Sequence, residues 1–171
     1  MLVCDLDNTL YDWIEYFVPA FYAMVDETVR LLGCDRARLL ADLRRVHQAH
    51  HDTEHPFALL ETQTIAEYLP MHSRKERASV LDSAFHAFNS VRKSHLKLYD
   101  GVHETLSLLK RNDIKIVAHT EGKLNAVLSR LSRLEVLGFF TTVYCRERSV
   151  LHGVSAEAGR KWLAKYLSLI H

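Results

Sequence analysis

The sequence has few cysteines and almost no net charge, and each shortage excludes a class of protein. Its 171 residues include only three cysteines, Cys4, Cys34 and Cys145, which lie far apart. A disulfide framework or a cysteine zinc site needs paired or closely spaced cysteines, so we expect three reduced thiols. The formal net charge is only +1, which gives no broad electrostatic reason to expect nucleic acid or a membrane surface as a partner.

Long apolar runs and targeting signals are also lacking. No apolar run approaches the length that a helix needs to cross a bilayer. The N-terminus lacks the basic start, apolar middle and small-residue cleavage site of a secretory signal. Hydrophobic residues make up 48% of the chain and charged residues 25%, which is typical of soluble globular proteins. We therefore expect a cytoplasmic protein, and the sequence leaves its oligomeric state open, a homo-oligomer included.

What the sequence does contain is a change in the spacing of its apolar residues. Residues 1–5 form a short apolar run that ends in Asp5 and predicts a buried strand. Over residues 14–96 the apolar residues recur at three- and four-residue steps, which is typical of amphipathic helices. From residue 98 onwards short apolar runs alternate with helical patterns, which indicates parallel strands joined by crossover helices.

These patterns predict an α/β protein with a core formed by residues 1–13 and 97–171 and a helical insert at residues 14–96. Further strands are predicted at residues 114–118 and 141–145, which gives a parallel sheet of three strands. A last helix is predicted from Ser155 to about Leu169. An insert directly after the first strand would sit above the C-terminal edge of that strand, where open parallel sheets bind ligands.

Two acidic residues, Asp5 and Asp7, stand at this predicted edge. Carboxylates two residues apart repel each other, and a cation, a shared proton or simple exposure to water must offset the repulsion. A solvated strand end with a turn-forming Asp-Asn pair is the structural alternative to a functional site.

Three stretches of the chain resemble the haloacid dehalogenase (HAD) superfamily. The stretch "DLDNTLYD" is similar to the first motif of that family, an Asp-x-Asp-x-Thr pattern after an apolar strand. The stretch "IVAHTEG", an apolar run that ends in Thr120, is similar to the second motif. The stretch "LYDGVHETLSLLK" resembles the segment with which helical-cap members return to their core. The resemblance implies a Rossmann-like core with a helical cap inserted after the first strand.

The resemblance also implies a magnesium-dependent phosphatase that acts on a small phosphorylated metabolite. Asp5 would be the nucleophile that forms an aspartyl-phosphate, and Asp7 the general acid that protonates the leaving oxygen and later activates water. Mg²⁺ would bind the Asp5 carboxylate and the backbone carbonyl of Asp7, and the cation would then offset the repulsion between the two acids. Relatives that cleave carbon–halogen bonds lack the second aspartate, so Asp7 favours phosphate chemistry.

The second motif supplies the predicted phosphate contacts. The hydroxyl of Thr120 would donate a hydrogen bond to a phosphate oxygen. The backbone N–H groups of Glu121 and Gly122 lie near a predicted helix N-terminus, where anions are favoured. A threonine at the end of a strand is also common for structural reasons alone, because threonine suits β-structure and caps helices.

The chain departs from the family pattern towards its end. Lys161 and Lys165 both fall inside the last predicted helix, so the lysine of the third motif is not assigned. The last acidic motif, which completes the magnesium site, is missing, because after Glu147 the chain has only Glu157. A longer protein of which this chain is a part explains the gap best. A short relative that has lost activity, or that borrows a strand from a partner, is the alternative.

Two further groups of residues stand out. His47, His50, His51 and His55 lie at helical spacings, and an i, i+4 pair such as His47 and His51 could hold a metal ion, although a solvated helix face is the favoured interpretation. Arg146 and Arg148 follow the third predicted strand and could hold an anionic substrate, although surface charges are the more common outcome.

Two other functions remain open at this point. The first is a non-catalytic module of the HAD fold that binds a phosphorylated ligand or a protein partner. The second, more remote, is a helical interaction protein whose resemblance to the family is accidental.

Overall fold

The structure is a computed structural model that describes residues 1–55, 57–145 and 150–152. The chain divides into two compact units, Met1–Glu15 with Leu96–His171 and Tyr16–His95. We call the first the sheet unit and the second the helical unit. Their roles as catalytic core and cap stay predictions.

The helices and strands have the following bounds in chain order: β1 (Leu2–Cys4), α1 (Trp13–Leu32), α2 (Arg36–His50), α3 (Gln63–Tyr68), α4 (Arg74–Val80), α5 (Asp82–His95), α6 (Val102–Arg111), β2 (Ile116–His119), α7 (Leu124–Arg133), β3 (Phe140–Tyr144) and β4 (Val150–His152). Short 3₁₀ helices lie at Ala58–Glu61 and Leu137–Phe139. None of the helices in the described part of the chain has the length and apolar character that crossing a bilayer requires.

The sheet unit contains one four-stranded sheet with the order β1-β2-β3-β4. The strands β1, β2 and β3 are parallel, which confirms the predicted α/β fold with three parallel strands. In the register Cys4 lies beside Ala118, so β1 and β2 end at the same edge. The fourth strand, β4, runs antiparallel to β3 and was not predicted, because three residues are too short a run to show a period.

The core of the sheet unit forms where the sheet meets its helices. Ile116 and Phe140 on the strands and Leu128 on α7 are almost fully buried and belong to one apolar cluster. Leu6, two residues after the end of β1, is buried in the same cluster. This packing fixes the strand ends and the N-terminal half of α7 relative to one another, which positions the residues discussed below.

Local sequence signals set most helix ends of the helical unit. Gly33 adopts a φ of +65° and ends α1, where a left-handed residue is required and glycine has no Cβ to obstruct it. The Asp35 side chain accepts a hydrogen bond of 2.6 Å from the Arg38 N–H and caps α2. Ser73 and Glu76 fit the sequence pattern of a capping box and form one at the start of α4.

Two expectations for the helices were wrong in detail. The sequence predicts one helix from Ser73 towards Val91, whereas the structure has two, α4 and α5, which meet at the fully buried Leu81. The sequence also predicts that Ile14 lies on the buried face of α1. Its side chain is 57% exposed, and α1 buries Tyr16 and Ala20 instead.

Several predicted features lie outside the described residues. They are the helix at residues 155–169, the arginines Arg146 and Arg148, the lysines Lys161 and Lys165, and the acids Glu147 and Glu157.

Candidate functional site

The loop after β1 is a tight turn that apolar side chains hold in place. Leu6, Leu10 and Tyr11 are buried in the apolar core of the sheet unit, which anchors both ends of the turn. Asn8 has a φ of +56°, in the left-handed region that asparagine tolerates well. Its side-chain Oδ1 accepts a hydrogen bond of 2.9 Å from the Trp13 N–H, which ties the loop to the start of α1. The loop therefore presents Asp5 and Asp7 from a rigid support.

Asp5 is the more open of the two predicted catalytic acids. It follows β1 directly and is exposed. The Thr9 hydroxyl donates a hydrogen bond of 3.2 Å to its Oδ2, and the Cys4 thiol donates one of 2.9 Å to its backbone carbonyl. Burial raises the pKa of the Cys4 thiol, and the negative charge of Asp5 raises it further, so Cys4 is a thiol at neutral pH. Asp5 thus presents an accessible carboxyl group at the end of β1.

Asp7 has a different environment from Asp5. The Tyr11 hydroxyl donates a hydrogen bond of 2.6 Å to Asp7 Oδ1, and the Arg130 Nη1 lies 3.1 Å from the same oxygen. The hydroxyl of Thr120 lies 3.4 Å from Asp7 Oδ2, which is longer than an ordinary hydrogen bond. Three side chains from three parts of the chain therefore converge on this one carboxylate.

Thr120 reaches the site from the end of β2. It is buried, and its N–H donates a hydrogen bond of 3.0 Å to the Tyr144 carbonyl on β3. The Gly122 N–H, predicted to face a phosphate, donates a hydrogen bond of 3.1 Å to the Thr120 hydroxyl. Glu121 lies between them and is exposed. The structure thus brings Thr120 and Gly122 to the Asp7 side of the site.

Arg130, like Tyr11, is a residue of this site that sequence reasoning missed. It lies on α7, and its side chain is 2% exposed, so its charge is almost fully removed from water. A buried guanidinium needs a negative partner, and Asp7 supplies one. A signal for it was present, because Arg130 lies on the same helix face as Val127 and Leu131, where an apolar residue is expected.

Gly122 has a steric role that its sequence position did not reveal. A Cβ at this position would lie 2.8 Å from Val127 Cγ2 and 3.4 Å from the Thr120 hydroxyl oxygen. Both neighbours are buried, so neither side chain has space to move away.

We therefore expect Gly122→Ala to destabilise the protein by about 1–3 kcal/mol, because the added methyl group overpacks a closed site. Urea unfolding measures the loss. Gly138→Ala is the matched control, since a Cβ there meets nothing within 4 Å, and we expect it to change stability by less than about 0.5 kcal/mol. Equal stability of the two variants would contradict the close packing at Gly122.

A comparison with the sequence profiles of protein families shows to which family this chain belongs. The sequence profile of the haloacid dehalogenase-like hydrolases matches residues 2–152, which include the whole helical unit, most of the sheet unit and every residue of the site. The chain belongs to the haloacid dehalogenase-like hydrolase family. This confirms the resemblance carried by "DLDNTLYD" and "IVAHTEG".

Two solved structures similar to this HAD-like chain are distant from it in sequence. A Thermotoga maritima protein assigned as a β-phosphoglucomutase has a TM-score of 0.55 and 19% identity, over 86% of this chain and 61% of its own. The Bacillus subtilis protein YfnB, described as a HAD hydrolase with bound magnesium, has a TM-score of 0.49 and 14% identity, over 85% of this chain and 64% of its own. The chain therefore spans less than two thirds of the length of either protein. No curated protein matches the sequence significantly.

The residues at the site of this HAD-like chain fit a magnesium ion. Mg²⁺ prefers oxygen donors and usually retains several water molecules, with one or two carboxylates from the protein. Asp5 offers an exposed carboxylate of which the Thr9 hydroxyl contacts only one oxygen, Oδ2, among the contacts of the described residues. Asp7 Oδ1 already accepts from Tyr11 and Arg130, so the backbone carbonyl of Asp7 suits the ion better than its side chain.

Proposed function

We propose that the chain carries a magnesium-dependent phosphohydrolase site of the HAD type, which acts on a small phosphorylated metabolite. The observation that carries the proposal is the position of Thr120. It is separated from Asp7 by 113 positions in the sequence, yet its hydroxyl lies 3.4 Å from the Asp7 carboxylate, at the edge where β1 and β2 both end. Two motifs that are far apart in the chain thereby meet at one site.

Each residue has a specific role in this proposal. The exposed Asp5 carboxylate attacks the phosphorus atom, and the bond from phosphorus to the leaving oxygen breaks as the aspartyl-phosphate forms. In its protonated form Asp7 donates a proton to the leaving oxygen, and the resulting carboxylate later accepts one from the water that hydrolyses the aspartyl-phosphate. The hydroxyl of Thr120 turns from Asp7 to a phosphate oxygen.

Asp5 and the backbone carbonyl of Asp7 would hold the magnesium ion. When bound, the ion lowers the repulsion between the carboxylates and the incoming phosphate and stabilises charge on the transferred group. Phosphoglycolate, sugar phosphates and nucleoside monophosphates are all compatible substrates. Neither nucleic acid nor a membrane is a partner in this proposal.

The buried Arg130 supports a second candidate function. Its contact with Asp7 gives that carboxylate a structural role as the counterion of a buried charge. A protein in which Asp7 serves only this role would be a HAD-fold module that binds a phosphorylated ligand without hydrolysing it.

Hydrolysis of p-nitrophenyl phosphate, measured with Mg²⁺ and again with excess EDTA, separates the two functions. We expect phosphate release that needs Mg²⁺ and stops on its removal. Binding of inorganic phosphate in calorimetry without any release from the aryl phosphate would favour the module. Release that persists unchanged in EDTA would contradict the role of the metal.

A further inference from the structure

The helical unit contains a cluster of side chains that the proposed phosphatase site does not use. His50, His55 and Glu61 bring two imidazole nitrogens and a carboxylate oxygen within 4.8 Å of one another. The His50 Nε2 lies 2.7 Å from Glu61 Oε2, and the His55 Nε2 lies 3.1 Å from Glu61 Oε1. All three residues belong to one unit, so the cluster stands independently of the site at Asp5.

We propose that His50, His55 and Glu61 form a zinc site with two imidazole ligands, one carboxylate ligand and one position open to water. The donor set is the one that Zn²⁺ takes in proteins, with Zn–N and Zn–O distances of about 2.0–2.2 Å. In tetrahedral geometry those distances separate neighbouring ligand atoms by about 3.3 Å. The observed N···O separations, 2.7 Å to Oε2 and 3.1 Å to Oε1, are shorter than this by about 0.6 and about 0.2 Å, so the side chains move apart to accept the ion.

Local structure holds the three ligands close together before any ion binds. His50 is the last residue of α2, which ends at His51 in a left-handed conformation with a φ of 50°. The following turn is closed by a hydrogen bond of 3.3 Å from the His55 N–H to the Asp52 carbonyl. Glu61 ends the 3₁₀ helix Ala58–Glu61, which the fully buried Leu59 anchors in the core of the helical unit.

The donor atoms of the cluster suit a cation. Glu61 contributes a carboxylate whose two oxygens face the two imidazole nitrogens. The ion takes the place of the hydrogens between each Nε2 and Glu61. A neutral imidazole then carries its proton on Nδ1, and a protonated imidazole releases one proton to the solvent.

Two side-chain arrangements in the cluster must change before it can bind an ion. The His50 and His55 rings are stacked, with centroids 3.5 Å apart and planes inclined by 10°, so they tilt apart to point at one ion. The Arg74 Nη2 lies 3.3 Å from Glu61 Oε1 and competes with a cation, but its side chain is 61% exposed and can swing into water.

The two other histidines predicted from the sequence are not ligands in this proposal. The His47 ring packs 5.9 Å from the Phe21 ring, and burial lowers the pKa of His47, with the nearby His55 lowering it further. The i, i+4 pair of His47 and His51 suggested by spacing is therefore replaced by His50 and His55, because the chain turns back at the end of α2. Glu61 was not predicted from the sequence.

Metal titration of the full chain tests this site. We expect one equivalent of Zn²⁺ to remain after dialysis, and Co²⁺ to give visible bands without the charge-transfer absorption of a thiolate ligand. His55→Ala and Glu61→Gln should each weaken Zn²⁺ binding at least about 100-fold, the upper end of what the loss of a supporting contact costs. Arg74→Gln should tighten it up to about fivefold, because the competing cation is gone.

His51→Asn is the matched control, because it removes a neighbouring imidazole while asparagine tolerates the left-handed backbone, and it should bind Zn²⁺ like the parent protein. All titrations are repeated in Asp5→Asn, so that binding at the phosphatase site is recognised. Absence of stoichiometric zinc, or binding that His55→Ala and Glu61→Gln leave intact, would overturn the proposal. Loss of binding in His51→Asn would overturn the ligand assignment.

Discussion

Asp5→Asn should reduce the rate of phosphate release from p-nitrophenyl phosphate by about 1,000-fold or more. An amide oxygen is a poor nucleophile compared with a carboxylate, and the substitution removes the step on which the proposed mechanism depends. The variant should fold normally, because Asp5 is exposed and its described side-chain contact is one hydrogen bond from Thr9. Steady-state kinetics in saturating Mg²⁺, with circular dichroism to verify folding, measures the effect.

Asp113→Asn is the matched control for this experiment. Asp113 is also exposed and has a φ of 54°, where asparagine fits without strain. It precedes β2 and thus lies at the end of that strand away from Thr120. We expect the control to hydrolyse the aryl phosphate at the parent rate. Asp5→Asn with more than about a tenth of the parent activity would exclude Asp5 as the nucleophile.

Arg130→Met should destabilise the protein by about 3 kcal/mol. Removing one partner of a buried ion pair costs about 3–5 kcal/mol, because the other charge stays behind without compensation. We expect the lower end of this range, because the Asp7 side chain is 27% exposed and water can partly solvate it. The measurement is the free energy of unfolding in urea.

A double-mutant cycle separates the ion pair from the packing of the long arginine side chain. Asp7→Ala leaves Arg130 buried without its acid and should also destabilise. The double variant should be more stable than the sum of the two losses predicts, by about 2 kcal/mol. Arg133→Met is the control, since Arg133 is exposed on the same helix, α7. A coupling energy near zero would show that the contact between Asp7 and Arg130 contributes nothing to stability.

Much of the fold could be predicted because its signals are local. Asp35 alone caps the start of α2, and Ser73 together with Glu76 caps the start of α4. Each of these residues lies within four positions of the helix start that it determines. The apolar runs that become β1 and β2 are short and bounded by acids or polar residues. The break between α4 and α5 could not be predicted, because burial of Leu81 in the helical unit decides it.

In the site, too, the residues of local motifs could be predicted, whereas contacts between residues far apart in the sequence could not. Asp5, Asp7 and Thr120 could be identified because each follows an apolar strand within a recognisable motif. The pairing of Asp7 with Arg130 joins residues 123 positions apart, and no pattern in the sequence states which acid a buried arginine meets. The prediction of the histidine cluster was similarly incomplete. Spacing indicates the histidines at and after the end of α2, but it does not indicate Glu61, which the following turn brings back to them.

Trapping the phosphorylated protein with borohydride tests the central claim most directly, that Asp5 takes the phosphoryl group. Borohydride reduces an acyl phosphate, so an aspartate that carries phosphate is converted to homoserine, which peptide mass spectrometry locates. With substrate and Mg²⁺ present, we predict this conversion at position 5 alone, and none without substrate. Unmodified Asp5 in protein that is hydrolysing the substrate, or conversion at Asp7 instead, would contradict it.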